Sequence, residues 1–473
     1  MTSRLNLPAR DIRKGLRISV FEGAFAQVHI NLTGGIFLSG LALYLNASDF
    51  EISLLSAIPA LCAPLAFLSG WLAYLTGSRK AVTTATSALA RGLFFIPAFV
   101  LLLKGSLNMR TLLVIIGAFN ALIVITGNTW TSWMSDLVPK NRLGRYFGIR
   151  NTVTGIVGMV ISYAGALFLD IFKAKEKLAA GLGWIFLIAS TASLVNAVLL
   201  AFQPYPRRQS QTFRMEESFL VPLRDRKFRK LLVFLAFWFT TSGVASPFYG
   251  VHMLENLKMP YSQAAIYGVV AGILSLLFQL VWGRVIDRIH PKPVLQINFF
   301  GIAFLPLLWL FATPRFYLPI WVDSVITGIF WTGVNASLFT LMLGSITEQR
   351  LKESYIALYS TVVGVCSFVS AFLGGIIAES LAGFRLELFG FTFINYHFLF
   401  LAASLARIAA LPLLARIDDP GVPSVKITLA AMGDYASRRL SMGRELIENA
   451  FVRRLPRRSN SLDEPGKKPK KER

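Results

Sequence analysis

The segment QPYPRRQSQTFRMEESFLVPLRDRKFRK, residues 203–230, is the one long polar interruption of the chain ahead of its C-terminal tail. It divides the apolar runs around it into two equal sets. Before it, runs of the length that crosses a bilayer, roughly 20 predominantly apolar residues, lie near 18–45, 50–75, 81–103, 111–136, 147–170 and 181–203. After it they lie near 231–251, 261–283, 294–312, 318–346, 354–381 and 392–415. This pattern predicts an all-α membrane protein of twelve transmembrane helices in two six-helix halves. The runs are too long, and too little alternating, for a transmembrane barrel. Composition agrees: the chain is 54% apolar and only 15% charged, more apolar than a soluble domain needs.

The predicted organisation is a basic N-terminus (1–17), a first six-helix half (18–203), the central loop (204–230), a second half (231–415) and a basic tail (416–473). A net charge of +23 would suggest nucleic acid in a soluble protein, but its distribution argues otherwise. The N-terminus, central loop and tail all fall on one side of a twelve-span chain. With the short loops of that side they hold 37 basic residues against 8 on the other. The positive-inside rule makes that side cytoplasmic, with both termini inside a multi-pass protein of the cell membrane. The excess charge then serves orientation and attraction to anionic lipid headgroups, and no nucleic-acid partner is expected. Cys62 and Cys366 lie inside apolar runs and form no disulfide or metal framework. The first run is too long and too polar, with Glu22, Gln27, His29 and Asn31, to be a cleaved signal.

The even division invites a search for an internal repeat. GWLAYLTGSRK (70–80) follows the second span and GRVIDRIHPK (283–292) follows the eighth. Both carry a glycine, a mostly apolar triplet, two variable positions and a basic cluster, with Tyr74 and Leu75 standing where the second copy has Asp287 and Arg288. A second echo links SWMSDLVPKNRLGRYFG after the fourth span with LMLGSITEQRLKESYIA after the tenth, pairing Met134 with Met342 and Arg142 with Arg350.

On these features the sequence resembles the major facilitator superfamily over roughly 17–415. The family's signature between the second and third spans, of Gly-x-Leu-Ala-Asp-Arg-x-Gly-Arg-Lys type, survives as Gly70, Leu72, Ala73, Gly77, Arg79 and Lys80 without its Asp, and as Gly283, Asp287, Arg288 and Lys292 in the second half. The resemblance implies a secondary active transporter working by alternating access, with spans one, four, seven and ten lining the path. It also implies a cytoplasmic gate, here Gly70, Tyr74, Asp136, Arg142, Arg145, Gly283, Asp287 and Arg288, in which Asp287 reaches the start of span five near Arg142 and Arg145. The Gly-Pro pair that drug/proton antiporters of the family show in span five is missing from TGIVGMVISYAGALF, which demotes multidrug export.

Polar residues in hydrocarbon are costly unless they face a cavity or a partner. By a helical rise of about 1.5 Å per residue, His29, Asn128, Thr240, Thr241, Ser242 and Asn335 all lie roughly 12–16 Å from the cytoplasmic end of their spans, which predicts a mid-membrane substrate cavity. Trp130 is a candidate aromatic wall, although helix packing explains it equally. Glu22 and His29, seven residues apart on one helical face, form a candidate proton relay; an ion pair with a basic residue near the cytoplasmic surface reads Glu22 equally well, and a hydrogen-bonded structural role is the alternative for His29. Arg91, at the centre of span three, is a candidate charge contact or an intradomain structural pairing, and Asp323, near the outer end of span ten, is a candidate charge contact or outer gate, or a carboxylate solvated at the surface. No HExxH, GxGxxG, Walker or Cys/His pattern sits in a loop that could host it, so neither enzyme chemistry nor a cofactor is expected. The expected partners are a small-molecule substrate, protons and membrane lipids, and the expected state is a monomer. A lipid or glycolipid flippase-like carrier, and a non-transporting sensor or scaffold acting through the tail, stand as alternatives. Residues 425–455 carry an amphipathic pattern suited to a membrane-surface helix.

Overall fold

The computed structural model describes residues 8–139, 143–205, 221–348, 352–388 and 391–415. The chain divides into two compact units, Met1–Val422 and Pro423–Arg473. The second unit, with the amphipathic segment expected there, lies outside the described residues.

Eleven helices of the described residues are long and apolar enough to cross a membrane: Arg10–Tyr44, Asp49–Thr76, Arg79–Lys104, Met109–Leu137, Tyr146–Ala174 and Leu178–Phe202 before the central segment, then Tyr261–Arg288, Pro291–Phe311, Leu318–Gly344, Tyr355–Ser380 and Asn395–Leu414. They are spans one to six and eight to twelve. Span seven is broken. Its helix Arg226–Ser242 ends where the hydroxyls of Thr241 and Ser242 bond back to the carbonyls of Phe237 and Trp238, and a turn through Gly243–Pro247 leads into Phe248–Val251 and the π-helical turn His252–Asn256. Pro247 lacks the N–H that would continue the ladder.

Local chemistry sets the other boundaries. Ser48 and Glu51 form a reciprocal capping box at the start of span two. Ser78 caps span three, and Gly77, in the left-handed conformation at φ 61°, makes the tight turn before it. Pro59 and Pro64 convert the middle of span two to a 3₁₀ stretch, Ala63–Phe67. Two findings differ from the sequence reading. GRVIDR belongs to the last turns of span eight rather than to a loop, because the helix runs unbroken to Arg288. A two-stranded antiparallel hairpin, β1 (Arg385–Leu388) paired with β2 (Phe391–Ile394), joins spans eleven and twelve.

The two sets of spans meet along two seams. Span two packs on span eleven, where a Cβ added to Gly364 would stand 3.0 Å from the Ala60 carbonyl oxygen, and one added to Gly375 would stand 2.5 Å from the Ser53 side chain. Span five packs on span eight, where Met159 fills the space beside Gly272. Small residues let these backbones approach closely.

The buried apolar side chains separate by face. On the face away from the central segment, the far face, one continuous core joins both halves, with Phe37, Leu41 and Phe186 of the first packed with Phe248, Leu254 and Phe400 of the second. On the face that carries residues 203–230, the loop face, the cores are separate: Met134, Leu137 and Tyr146 in one half, Phe228, Leu338 and Tyr355 in the other.

Candidate functional site

Polar contacts reinforce the closed far face. Pro260 gives the N-terminus of span eight no side-chain cap. Asp170, near the end of span five in the other half, supplies one: its Oδ1 accepts the Tyr261 N–H at 2.7 Å and its Oδ2 the Ser262 N–H at 2.9 Å. A carboxylate at a helix N-terminus satisfies orphan donors and opposes the positive end of the dipole. Asp49 accepts from Asn395 Nδ2 at 2.7 Å and from the Tyr396 hydroxyl, and Glu379 Oε2 accepts the Phe50 N–H at 3.1 Å. All of these bonds cross between the halves.

Two polar clusters of the loop face each stay within one half. Arg79 pairs with Asp136 at 2.7 Å. Asp225, the N-cap of span seven, accepts from the N–H groups of Lys227 (2.9 Å) and Phe228 (3.2 Å), from Thr347 (2.6 Å) and from Tyr355 (2.9 Å). Burial pushes the Asp225 carboxyl up, but these hydrogen bonds outweigh it and hold the group below its ordinary value. Asp287 is exposed and has neither a hydrogen bond nor an ion pair among the described residues. Arg142 and the side chain of Arg145, its expected partners, lie outside them. Tyr74 is 65% exposed, Arg288 is exposed, and Gly70 and Gly283 have no neighbour within 4 Å of an added Cβ.

A cavity of about 230 Å³ lies at the seam of spans one, five and eight. Its polar lining comes from Gln27, Asn31 and Ser162, and Gly155, Gly158 and Gly268 open its walls. The Asn31 amide donates to the Gln27 carbonyl at 2.9 Å. These two amides, four residues apart, share a helical face that the depth argument passed over in favour of His29.

His29 itself is fully buried inside the first half. Its ring packs against Phe94 at 5.0 Å and Phe119 at 5.4 Å, and Nδ1 lies 3.3 Å from the Ala189 carbonyl oxygen. Glu22 faces a different set of groups. Its Oε1 accepts from Asn196 at 3.0 Å, and its Oε2 lies 3.4 Å from Arg150 Nη2. Asn196 Oδ1 in turn accepts from Arg91 and from Ser87. Arg91 and Glu22 therefore belong to one buried network, while no hydrogen bond connects Glu22 with His29 among the described residues.

The remaining expected cavity residues divide. Asn128 is exposed and ties the 3₁₀ stretch of span two, donating to Ala66 O at 3.0 Å and Ser69 Oγ at 2.6 Å. Asn335 is exposed and makes no hydrogen bond among the described residues. Thr240 and Thr241 are half-buried and Ser242 is buried at the break of span seven. Trp130 lies under the Arg150 guanidinium at 4.3 Å. Asp323 is buried rather than at the surface, accepting from the Tyr267 hydroxyl at 2.6 Å. Arg407, which sequence reasoning missed, is buried near it, donates to the Ile302 carbonyl at 3.0 Å and stacks over Trp331.

Two helical sets that share one apolar core on one face and carry separate cores on the other, with a polar cavity at one of their seams, have the form of a membrane transport protein. The chain belongs to the Major Facilitator Superfamily, whose family profile matches residues 23–371 and 231–452. A tetracycline resistance protein, class H, from Pasteurella multocida is 26% identical over 130 residues, 27% of this chain and 32% of that relative, so the match spans about a third of its length. Among solved structures, a variant of the nucleoside transporter NupG superposes with a TM-score of 0.68 at 13% identity, over 85% of this chain and 100% of that one. A bacterial homolog of the human lysosomal transporter Spinster, in an inward-facing and unoccupied conformation, superposes with a TM-score of 0.58 at 14% identity, over 87% and 95%.

Proposed function

We propose that this chain carries a small organic solute across the cell membrane by alternating access, coupled to protons, with both termini and the loop face in the cytoplasm. The observation that carries the reading is the difference between faces: one shared core and an inter-half cap by Asp170 on the far face, two separate cores on the loop face. Such an arrangement corresponds to a state open toward the cytoplasm. In the opposite state Asp287 would perform at the start of span five what Asp170 performs at the start of span eight.

Glu22 is the proposed proton site. The groups facing it are Arg150, Arg91, Asn196 and Tyr146, so binding a proton there goes with loosening of the contacts the carboxylate makes with its guanidinium neighbours. The Glu22 to Arg150 contact, at 3.4 Å, is long for a charge-assisted bond, which favours such loosening. Purified protein in proteoliposomes should accumulate solute in response to an imposed pH gradient, and Glu22→Gln should abolish the pH-driven component. Unchanged pH-driven uptake in that variant would count against the proton site; lipid scrambling without solute uptake would count against solute transport.

A further inference from the structure

Among the described residues, the interior of the first half holds two guanidiniums, Arg91 and Arg150, against one carboxylate, Glu22. The two arginines differ. Arg91 is 6% exposed and spends Nη1 on Asn196 and Ser87. Arg150 keeps 15% of its side chain exposed and uses only Nε, on the Ser19 carbonyl at 3.3 Å, and Nη2, on Glu22. Of the five N–H donors of a guanidinium, those on Nη1 have no partner among the described residues.

The surroundings are shaped around this group. A Cβ on Gly23 would stand 2.6 Å from Arg150 Nη2, so the glycine gives the guanidinium its place beside span one. The Trp130 ring forms its floor, and the Trp130 Nε1 donor is buried with no partner among the described residues. Gly155, where the cavity lining begins, is five residues further along the same helix, roughly 7–8 Å toward the far face. The stripe of span five that turns Arg150 to span one also turns Gly158 to Gln27 and Asn31.

We infer that Arg150, seated on Trp130, is an anion-binding subsite at the loop-side edge of the cavity and takes the carboxylate or phosphate group of the transported solute. This rests on the transporter reading above. An entering oxyanion takes the free Nη1 and displaces Glu22 from its long contact, while Glu22 keeps Asn196 and the field of Arg91. The anion balances the surplus guanidinium charge, and the neutral amides of Gln27 and Asn31 are left to hold the uncharged part of the solute.

The test uses the full chain in detergent at fixed ionic strength, with thermal unfolding followed during titration by benzoate, inorganic phosphate and neutral benzamide. Benzoate or phosphate is expected to raise the unfolding midpoint saturably and benzamide to leave it unchanged. Arg150→Gln abolishes the response, Arg150→Lys weakens it because the planar fork is lost, and Glu22→Gln tightens binding about tenfold by removing the internal competitor. If Arg150→Gln does not fold, Glu22→Gln decides, and unchanged affinity there overturns the proposal. No saturable response to either anion also overturns it. So does a response that appears only in nanodiscs containing phosphatidylglycerol and not in phosphatidylcholine alone, since the anion would then be a lipid headgroup. Binding is read without any gradient. A chain that binds benzoate but shows no pH-driven uptake keeps the subsite and loses proton coupling, whereas pH-driven uptake of a neutral solute with no anion binding removes the subsite alone.

Discussion

The ends of spans five and eight each carry a carboxylate, on opposite faces. On the far face, Asp170 at the end of span five caps the start of span eight through two backbone N–H groups. On the loop face, Asp287 in the last turn of span eight is exposed and bonded to nothing among the described residues. Each carboxylate belongs to the helix that ends where the other helix begins, so the two positions are related by exchange of spans five and eight. A rocking motion that closes one face must open the other, and the closed face is identified by its occupied cap.

The largest expected effect comes from wedging the far-face seam. Gly375→Val places branched carbon where even a Cβ would stand 2.5 Å from Ser53. It should cost about 1–3 kcal/mol of far-face closure and raise the reactivity of cysteines introduced along that seam toward impermeant thiol reagents. Next comes Asp170→Ala, which leaves the Tyr261 and Ser262 N–H groups uncapped. A cap is worth about 0.5–2 kcal/mol, so the ratio of far-face-closed to far-face-open molecules should fall by roughly two- to thirtyfold.

Asp225→Asn gives the contrast, because its partners Thr347 and Tyr355 lie in its own half. It should lower thermal stability by about 1 kcal/mol without changing which face is open. Since the Asp225 carboxyl is held below its ordinary value, its contribution is complete above the unfolded-state pKa and is lost as pH falls through the folded one. A stability profile of wild type and variant should therefore converge in acid; a constant gap would refute the assignment. The smallest effect is that of Asp287→Asn. It should leave the loop-open form as stable as before and disfavour only the loop-closed state, by about 0.3–1 kcal/mol, seen as a modest gain in loop-face labelling.

The succession of long apolar spans was legible because a bilayer enforces long apolar runs. Facing was not legible from depth alone. His29 and Gln27 lie close in depth on span one, yet one points into the Phe94 and Phe119 packing and the other lines the cavity, since two residues turn a helix by about 200°. Arg91 stood out as a charge in the middle of an apolar run, and the same signal would have found Arg407. Arg150 was hidden by its place just inside the loop end of span five, where a basic residue passes for orientation charge. Asn196, the hub between Glu22 and Arg91, is one neutral amide in an apolar run, and only its neighbours in space give it meaning. The break at Gly243–Pro247 carried its signal in Gly and Pro, but an apolar run reads through it.

The account stands most directly on the exchange of latches. In a chain with Cys62 and Cys366 replaced by Ser, spin labels at Ser135 and Thr340 on the loop face and at Lys104 and Arg315 on the far face, all exposed positions, report the two openings by pulsed electron resonance. Asp170→Ala should lengthen the far-face distances and shorten the loop-face distances together, in the same fraction of molecules. Unchanged distributions, or both faces lengthening at once, would contradict the account.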